Sequence, residues 1–418
     1  MSRFVAILSV LLVVGRVATA QEGAADIGAR LMTDPSVRAA LDAARRGEPQ
    51  VLEDQIRLCE IPAPTFHEER RGAAMKALFE ELGLKNVRVD AIGNVLGERP
   101  GRSPRPHLLY GAHLDTVFPE ATDLTVTREG HLLKGPGIGD NCRGLAAMLG
   151  VIRALREGKV ETPGTITFVA NVREEGLGNL QGVRHLLEGE LKGKVDRFLS
   201  VDGSGIGFTH LGVGTARYRI SFRGPGGHSY YAFGIANPMH AMGRAMAKIA
   251  AIEVPESPRT TFSVGNVGGG TSVNSIAFEA WMEIDMRSHV TSALEALVQS
   301  VRKAVAEAAD EENARWRGRG ALTVEWKQLG AAEPGMMPKD APIVQATTSV
   351  TEALGLRVFT FPSTTDSNVP MSMGIPALTI DGGGGGSGGH SLKEVFDSTD
   401  SWKGTQRNLL LVIALAQP

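Results

Sequence analysis

Apolar residues fall into two textures along this chain. From about residue 51 to 210, and again after about 330, short unbroken apolar runs alternate with stretches whose apolar positions recur at helical intervals. HLLYGAH (107–113), TITFVANVREE (165–175), DRFLSVDG (196–203) and PALTIDGGGG (376–385) predict strands buried on both faces. CRGLAAMLGVIRALREG (142–158) predicts a helix between two of them. PTFHEERRGAAMKALFEELG (64–83) predicts another, with Thr65 and Glu68 in capping-box spacing and Gly83 as its stop. This alternation implies an α/β fold with a mostly parallel sheet flanked by helices.

Between 211 and 328 the order changes. TARYRISFRG, TTFSVGNV, SIAFEAWMEIDMRS and ALTVEWKQ predict strands, and NPMHAMGRAMAKIAAI and 291–312 predict helices. Their order, βαββαβ, is the ferredoxin-like arrangement. It reads as a domain inserted into the first, whose two parts are 21–210 and 329–418. The one low-complexity tract is GGGGGSGG, 382–389. Residues 1–20 join a basic start at Arg3 to an apolar stretch and a small-residue site, Ala18-Thr19-Ala20. They predict a cleaved export signal and a periplasmic or secreted protein with no stable membrane anchor.

The formal net charge is -2, and without residues 1–20, which carry Arg3 and Arg16, it falls to -4. Neither value gives a broad basic surface for nucleic acid or anionic lipid, so small substrates are the expected partners. Two cysteines, Cys59 and Cys142, carry no spacing signature of a disulfide framework or thiolate zinc site and are read as unpaired.

Each buried run leads into polar residues at its C-terminal end, where open α/β sheets bind ligands. His113 and Asp115, in YGAHLDTVFP, share a strand face if the strand persists, or mark an ordinary strand end. Asp140, after the broken loop GPGIG, suits either a shared metal ligand or a helix cap. Glu174 and Glu175 close a predicted strand and would point opposite ways, one toward a metal and one toward water as a base, unless both lie in the following loop. Asp202 precedes Gly203, as a turn residue also would, and His390 ends the glycine tract. Together these segments bring imidazole and carboxylate donors, and no thiolate, to one sheet edge. That set suits zinc, cobalt or manganese.

The order HLD, GD, EE, VDG and a late GH, with a domain inserted between the fourth and fifth, resembles the M20 family of dinuclear metallopeptidases and amidohydrolases over nearly the whole mature chain. The resemblance implies two divalent ions, most simply Zn2+ with Co2+ or Mn2+ as alternatives. His113, Asp140 and Asp202 would hold one, and Asp140, Glu175 and His390 the other. It also implies Glu174 as general base, Asp115 as the carboxylate supporting His113, and His228 in FRGPGGHSY as the group polarising the scissile carbonyl. Asn274 and Arg287 would contact substrate, and the insert would serve as a lid or dimerisation domain through which two copies could pair. DNCRG departs from the family pattern at Asn141, Cys142 and Arg143, and the glycine tract is long; both features could reshape the substrate pocket.

FRGPGGHS and VDG are similar to the peptidase T-like and carboxypeptidase branches, which implies an exopeptidase of short peptides acting through attack of a metal-bridging water. An N-acyl amino acid deacylase of the same family is the alternative. Two readings from other classes remain. Ser387 in GGSGG formally matches a nucleophile elbow, and the glycine-rich loops could belong to a non-catalytic binding protein.

Overall fold

The computed structural model describes residues 23–418, so the export signal read in residues 1–20 lies outside the described residues. The chain divides into two compact units. One comprises the described residues up to Gly212 together with Met336–Pro418, and the other is Val213–Gly335.

The first unit is built on a mixed, mostly parallel sheet. Its strands run in the order Lys85–Val89, Val95–Arg99, Thr165–Asn171, His107–His113, Arg197–Val201, Ala377–Ile380, Phe208–Gly212, with Thr360–Ser363 beside the last. The central pairs are parallel, His107–His113 lying between Thr165–Asn171 and Arg197–Val201, which in turn pairs with Ala377–Ile380. Val95–Arg99 joins antiparallel at one side. Leu108 to His113 are all buried, as expected for a parallel strand covered on both faces. Helices Cys142–Glu157 and Trp402–Leu415 pack on the two central strands. The second helix is buried nearly all round, from Leu409 to Leu415, and so shows no polar face.

Two strands end earlier than the apolar runs that announce them. Thr165–Asn171 stops before the acidic pair, and Ala377–Ile380 stops before the glycine tract. The helix expected over 64–83 is also shorter, Glu69–Glu81, and no capping box forms. Phe66 takes a left-handed φ of 77°, which breaks the first turn, and Thr65 and Glu68 bond elsewhere.

The second unit is a four-stranded antiparallel sheet in the order Thr260–Gly269, Glu279–Ser288, Gly214–Arg223, Thr323–Ala332. With helices Pro238–Ala250 and Thr291–Arg315 in between, this is the ferredoxin-like order. Ile220, Phe222, Met282, Ile284 and Met286 alternate along the strands and meet Ala241, Ala245, Val301 and Val305 of the helices in one core. The unit runs on to Gly335 rather than 328 because its last strand continues through Ala332. Among the described residues no helix is long and apolar enough to cross a membrane.

Candidate metal centre

At the C-terminal edge of the first unit's sheet, five of the residues singled out above come together. One ligand atom each from His113, Asp140 and Asp202 lie within 4.8 Å of one another, and so do those from Asp140, Glu175 and His390. Asp140 belongs to both sets. His113 Nε2 stands 3.2 Å from Asp140 Oδ1 and 3.4 Å from Asp202 Oδ1. His390 Nε2 stands 3.0 Å from Asp140 Oδ2 and 2.9 Å from Glu175 Oε1.

These spacings fit a cation. Ligand atoms about 2.1 Å from one tetrahedral ion stand roughly 3.4 Å apart. Asp140 Oδ1 is buried with no hydrogen-bonded donor, an orphan that a cation would satisfy. His113 Nδ1 lies 3.1 Å from the main-chain oxygen of Asp115, so once the imidazole is neutral Nδ1 keeps the proton and the lone pair is on Nε2, facing the carboxylates. The donor set of imidazole and carboxylate, without thiolate, suits zinc, cobalt or manganese.

The electrostatics are those of a crowded acidic pocket. Burial opposes charge on Asp140, yet the imidazoles of His113 and His390 hold its carboxyl well below the usual range. The Asp140 and Glu175 carboxylates lift His390 to about 10. Burial pushes Glu174 well above the usual carboxylate range; Glu175, Asp366 and Asp202 add to this, and His113 pulls the other way. A raised carboxyl among negative neighbours is how a protein prepares a group to exchange protons near neutrality.

Glu174 and Glu175 are not strand residues. Beyond Asn171 the chain turns through Arg173, at a φ of 59°, into a short 3-10 turn at Gly176–Gly178, so strand pleating does not set the directions of the two carboxylates. Asp115 shapes this turn instead. Its Oδ1 accepts the Glu174 N–H at 3.0 Å and its Oδ2 accepts the Glu175 N–H at 2.9 Å, while Thr65 Oγ1 donates to the same Oδ2 at 2.9 Å. The Asp115 carboxylate is 3.5 Å from His113 Nδ1, so support of His113 is shared with the backbone carbonyl.

Asp140 does not cap the following helix. Asn141 does, accepting from Gly144 N at 3.1 Å, and it also accepts from Gly203 N and donates to Val201 O. It thereby braces Asp140 against the strand exit that carries Asp202. Arg143 lines no pocket, because it is fully buried between Glu48, Gly382, Ser401 and Thr405. Ser387 lies on a short strand paired with Val395, not at a strand-to-helix turn, so the nucleophile elbow is not built. Cys59 and Cys142 are buried free thiols, and Cys59 Sγ donates to Pro136 O at 3.3 Å.

The remaining candidates lie in the second unit. His228 and Asn274 are exposed neighbours on the ribbon formed by Gly227–His228 and Ser275–Ile276, where Ser229 N donates to Asn274 O at 2.9 Å. His228 Nδ1 accepts the Tyr230 N–H at 3.2 Å, which leaves Nε2 as the protonated donor. Arg287 Nε donates to Asp285 at 2.7 Å, a salt bridge on its own strand.

Sequence reasoning missed four groups around the centre. Thr65 holds Asp115, and Glu394 accepts the main-chain N–H of Asp140 at 3.0 Å. Asn171, beside His113 in the sheet register, donates to Asp366 at 2.7 Å, and burial pushes the Asp366 carboxyl up to about 7. The available signals were the asparagine that ends TITFVAN, the polar run STTDSN, and an acid four residues after His390.

The profile of Peptidase family M20/M25/M40 matches residues 109–413. Succinyl-diaminopimelate desuccinylase of Corynebacterium glutamicum is 26% identical over 346 residues, 81% of this chain and 89% of its own length. Among solved structures, aminopeptidase PepT from Bacillus cereus superposes with a TM-score of 0.70 at 20% identity, covering 88% of this chain and 98% of its own. A tripeptidase from Staphylococcus aureus gives 0.72 at 21%, with the same coverage. With the profile spanning most of its length, the chain belongs to Peptidase family M20/M25/M40 and is a metallopeptidase or metal-dependent amidohydrolase.

Proposed function

We propose that this enzyme is a dinuclear exopeptidase that hydrolyses amide bonds of short peptides. The observation that carries the reading is the position of Asp140, whose two carboxylate oxygens face His113 on one side and His390 on the other. His113, Asp140 and Asp202 would hold one divalent cation, and Asp140, Glu175 and His390 a second. Bound there, most simply as Zn2+, the ions supply Lewis acidity toward a carbonyl and acidify water.

The chain's own groups do the rest. Glu174 takes a proton from the attacking water and delivers it to the leaving amine, a role suited to its raised carboxyl. Asp115 holds the main chain of that residue in place. His228, with Nε2 as donor, is assigned to the substrate carbonyl oxygen, and Asn274 and Arg287 to substrate binding. The guanidinium fork of Arg287 suits a carboxylate.

Short peptides are favoured by the aminopeptidase and tripeptidase folds it shares. The desuccinylase relative supports the second reading, removal of an acyl group from an N-acyl amino acid. A digest of a peptide library with free, amino-blocked and carboxyl-blocked ends, run beside N-succinyl amino acids, separates the two. Cleavage of the succinyl compounds alone would overturn the peptidase reading. Loss of activity to a chelator, its return with zinc, and indifference to serine-directed reagents are expected in the same assay.

The proposal extends to export through residues 1–20 and to pairing of two copies through the inserted domain. Amino-terminal sequencing of protein from the extracytoplasmic fraction tests the first, and mass measurement in solution the second. A retained residue 1 or a strictly monomeric mass removes the respective part.

A further inference from the structure

The loop 135–140 delivers Asp140, and one side chain from a distant segment holds it. Glu394 follows His390 by four residues and is 3% exposed. Its Oε2 accepts the Gly137 N–H at 2.9 Å, and its Oε1 accepts the N–H groups of Gly139 at 2.8 Å and Asp140 at 3.0 Å. The main-chain oxygen of Glu394 also accepts the Gly135 N–H at 3.1 Å. Successive backbone N–H groups turned toward one anion form a nest, and here the anion is the protein's own carboxylate.

The mount is rigid on both sides. Phe396, two residues on, is buried in one small core with Cys59, Ile138 and Cys142. Gln55 Nε2 donates to Ile138 O at 2.7 Å, so the loop's carbonyls are held as well as its N–H groups. Gly139 suits the close approach, since a Cβ there would stand 2.9 Å from Glu394 Oε1 and the carboxylate would have to shift.

We infer that Glu394 is a positioning residue of the metal centre, fixing the main chain of Asp140 and tying it to the segment that carries His390. These two ligands arrive from places 250 residues apart, yet must meet one cation with Glu175. The Glu394 carboxylate links the two segments by hydrogen bonds to the main chain of the loop, Asp140 N–H among them, from a position four residues after His390. The inference rests on the metal-centre reading above.

The test uses the full chain, equilibrated against a series of zinc buffers with bound metal read by elemental analysis. Glu394→Gln replaces one acceptor oxygen by an NH2 group, setting donor against donor. Removing such an outer partner weakens metal binding by about 10- to 100-fold. The expected result is a shift of that size in the zinc midpoint, with the metal-free fold retained by circular dichroism and activity largely restored at saturating zinc. Gly139→Ala, which presses on the carboxylate and leaves Glu394 in place, should shift the midpoint the same way by less, and it decides the matter if Glu394→Gln does not fold. Wild-type zinc affinity in both variants overturns the inference, whether or not their melting temperatures fall. A wild-type chain that takes up no zinc overturns the metal-centre reading itself, and does so before any variant is compared.

Discussion

Asp115 and Glu174 are joined through the main chain: the buried Asp115 carboxylate accepts the Glu174 N–H at 3.0 Å, and its other oxygen accepts that of Glu175. One acid therefore sets both the proposed base and a proposed ligand, besides lying beside His113. Asp115→Ala should retain most of its metal and lose about 10- to 100-fold in kcat, because the turn that presents Glu174 loosens. His113→Ala should instead empty one cation position. Metal content by elemental analysis beside steady-state kinetics distinguishes them; equal metal loss in the two variants would remove the distinction.

Glu174→Gln removes the proton carrier and leaves the five ligand side chains intact. General acid–base catalysis contributes about 10²- to 10⁴-fold, so kcat should fall within that range with KM and metal content little changed. Stopped-assay kinetics on a cleavable dipeptide would measure it. Wild-type turnover in this variant would remove Glu174 from the mechanism.

Most of the architecture was legible because buried parallel strands write themselves as apolar runs. His107–His113 and the helix Cys142–Glu157 fall where periodicity predicts them. The ends were less legible. Glu174 and Glu175 look like strand residues in TITFVANVREE, but their main-chain N–H groups donate to the carboxylate of Asp115, 59 and 60 positions upstream, within a turn. Thr65 and Glu68 show capping-box spacing, yet tertiary partners outbid the local helix, Asp115 for one and Arg173 N for the other. The role of Glu394 was illegible for the same reason: an acid four residues after His390 is visible in the sequence, but nothing local reveals that it will meet a loop 254 residues upstream.

Proton and cation compete at His390. The Asp140 and Glu175 carboxylates raise its imidazole to about 10, whereas an unfolded histidine titrates near about 6.5. The proton-dependent stabilisation of the metal-free chain is therefore complete below about 6.5 and is lost as pH rises through about 10. Metal binding runs the other way, because a ligating imidazole must be neutral. Zinc binding near pH 7 should release about one to two protons, counting His113, which is also raised. Calorimetric titration in two buffers of different ionisation heat counts them, and identical heats in both would contradict the displacement.

Arg143 is the strongest structural dependence the departure DNCRG creates. Its guanidinium meets Glu48 at 2.8 Å, Gly382 O and Ser401 O each at 2.8 Å, and Thr405 at 3.2 Å, all out of solvent. It ties an early helix, the root of the glycine tract and the last helix to one point. Removing one partner of a buried pair leaves an unpaired charge and costs about 3–5 kcal/mol. Arg143→Ala should lower the unfolding free energy of the first unit, measured by urea denaturation, by that amount, and Arg143→Lys should recover only part, since an ammonium cannot reproduce the fork. Replacing both Arg143 and Glu48 by apolar residues should cost less than Arg143→Ala alone, because no charge is then stranded. A double variant less stable than Arg143→Ala would show that the bonds to Gly382, Ser401 and Thr405, rather than the ion pair, carry the stability.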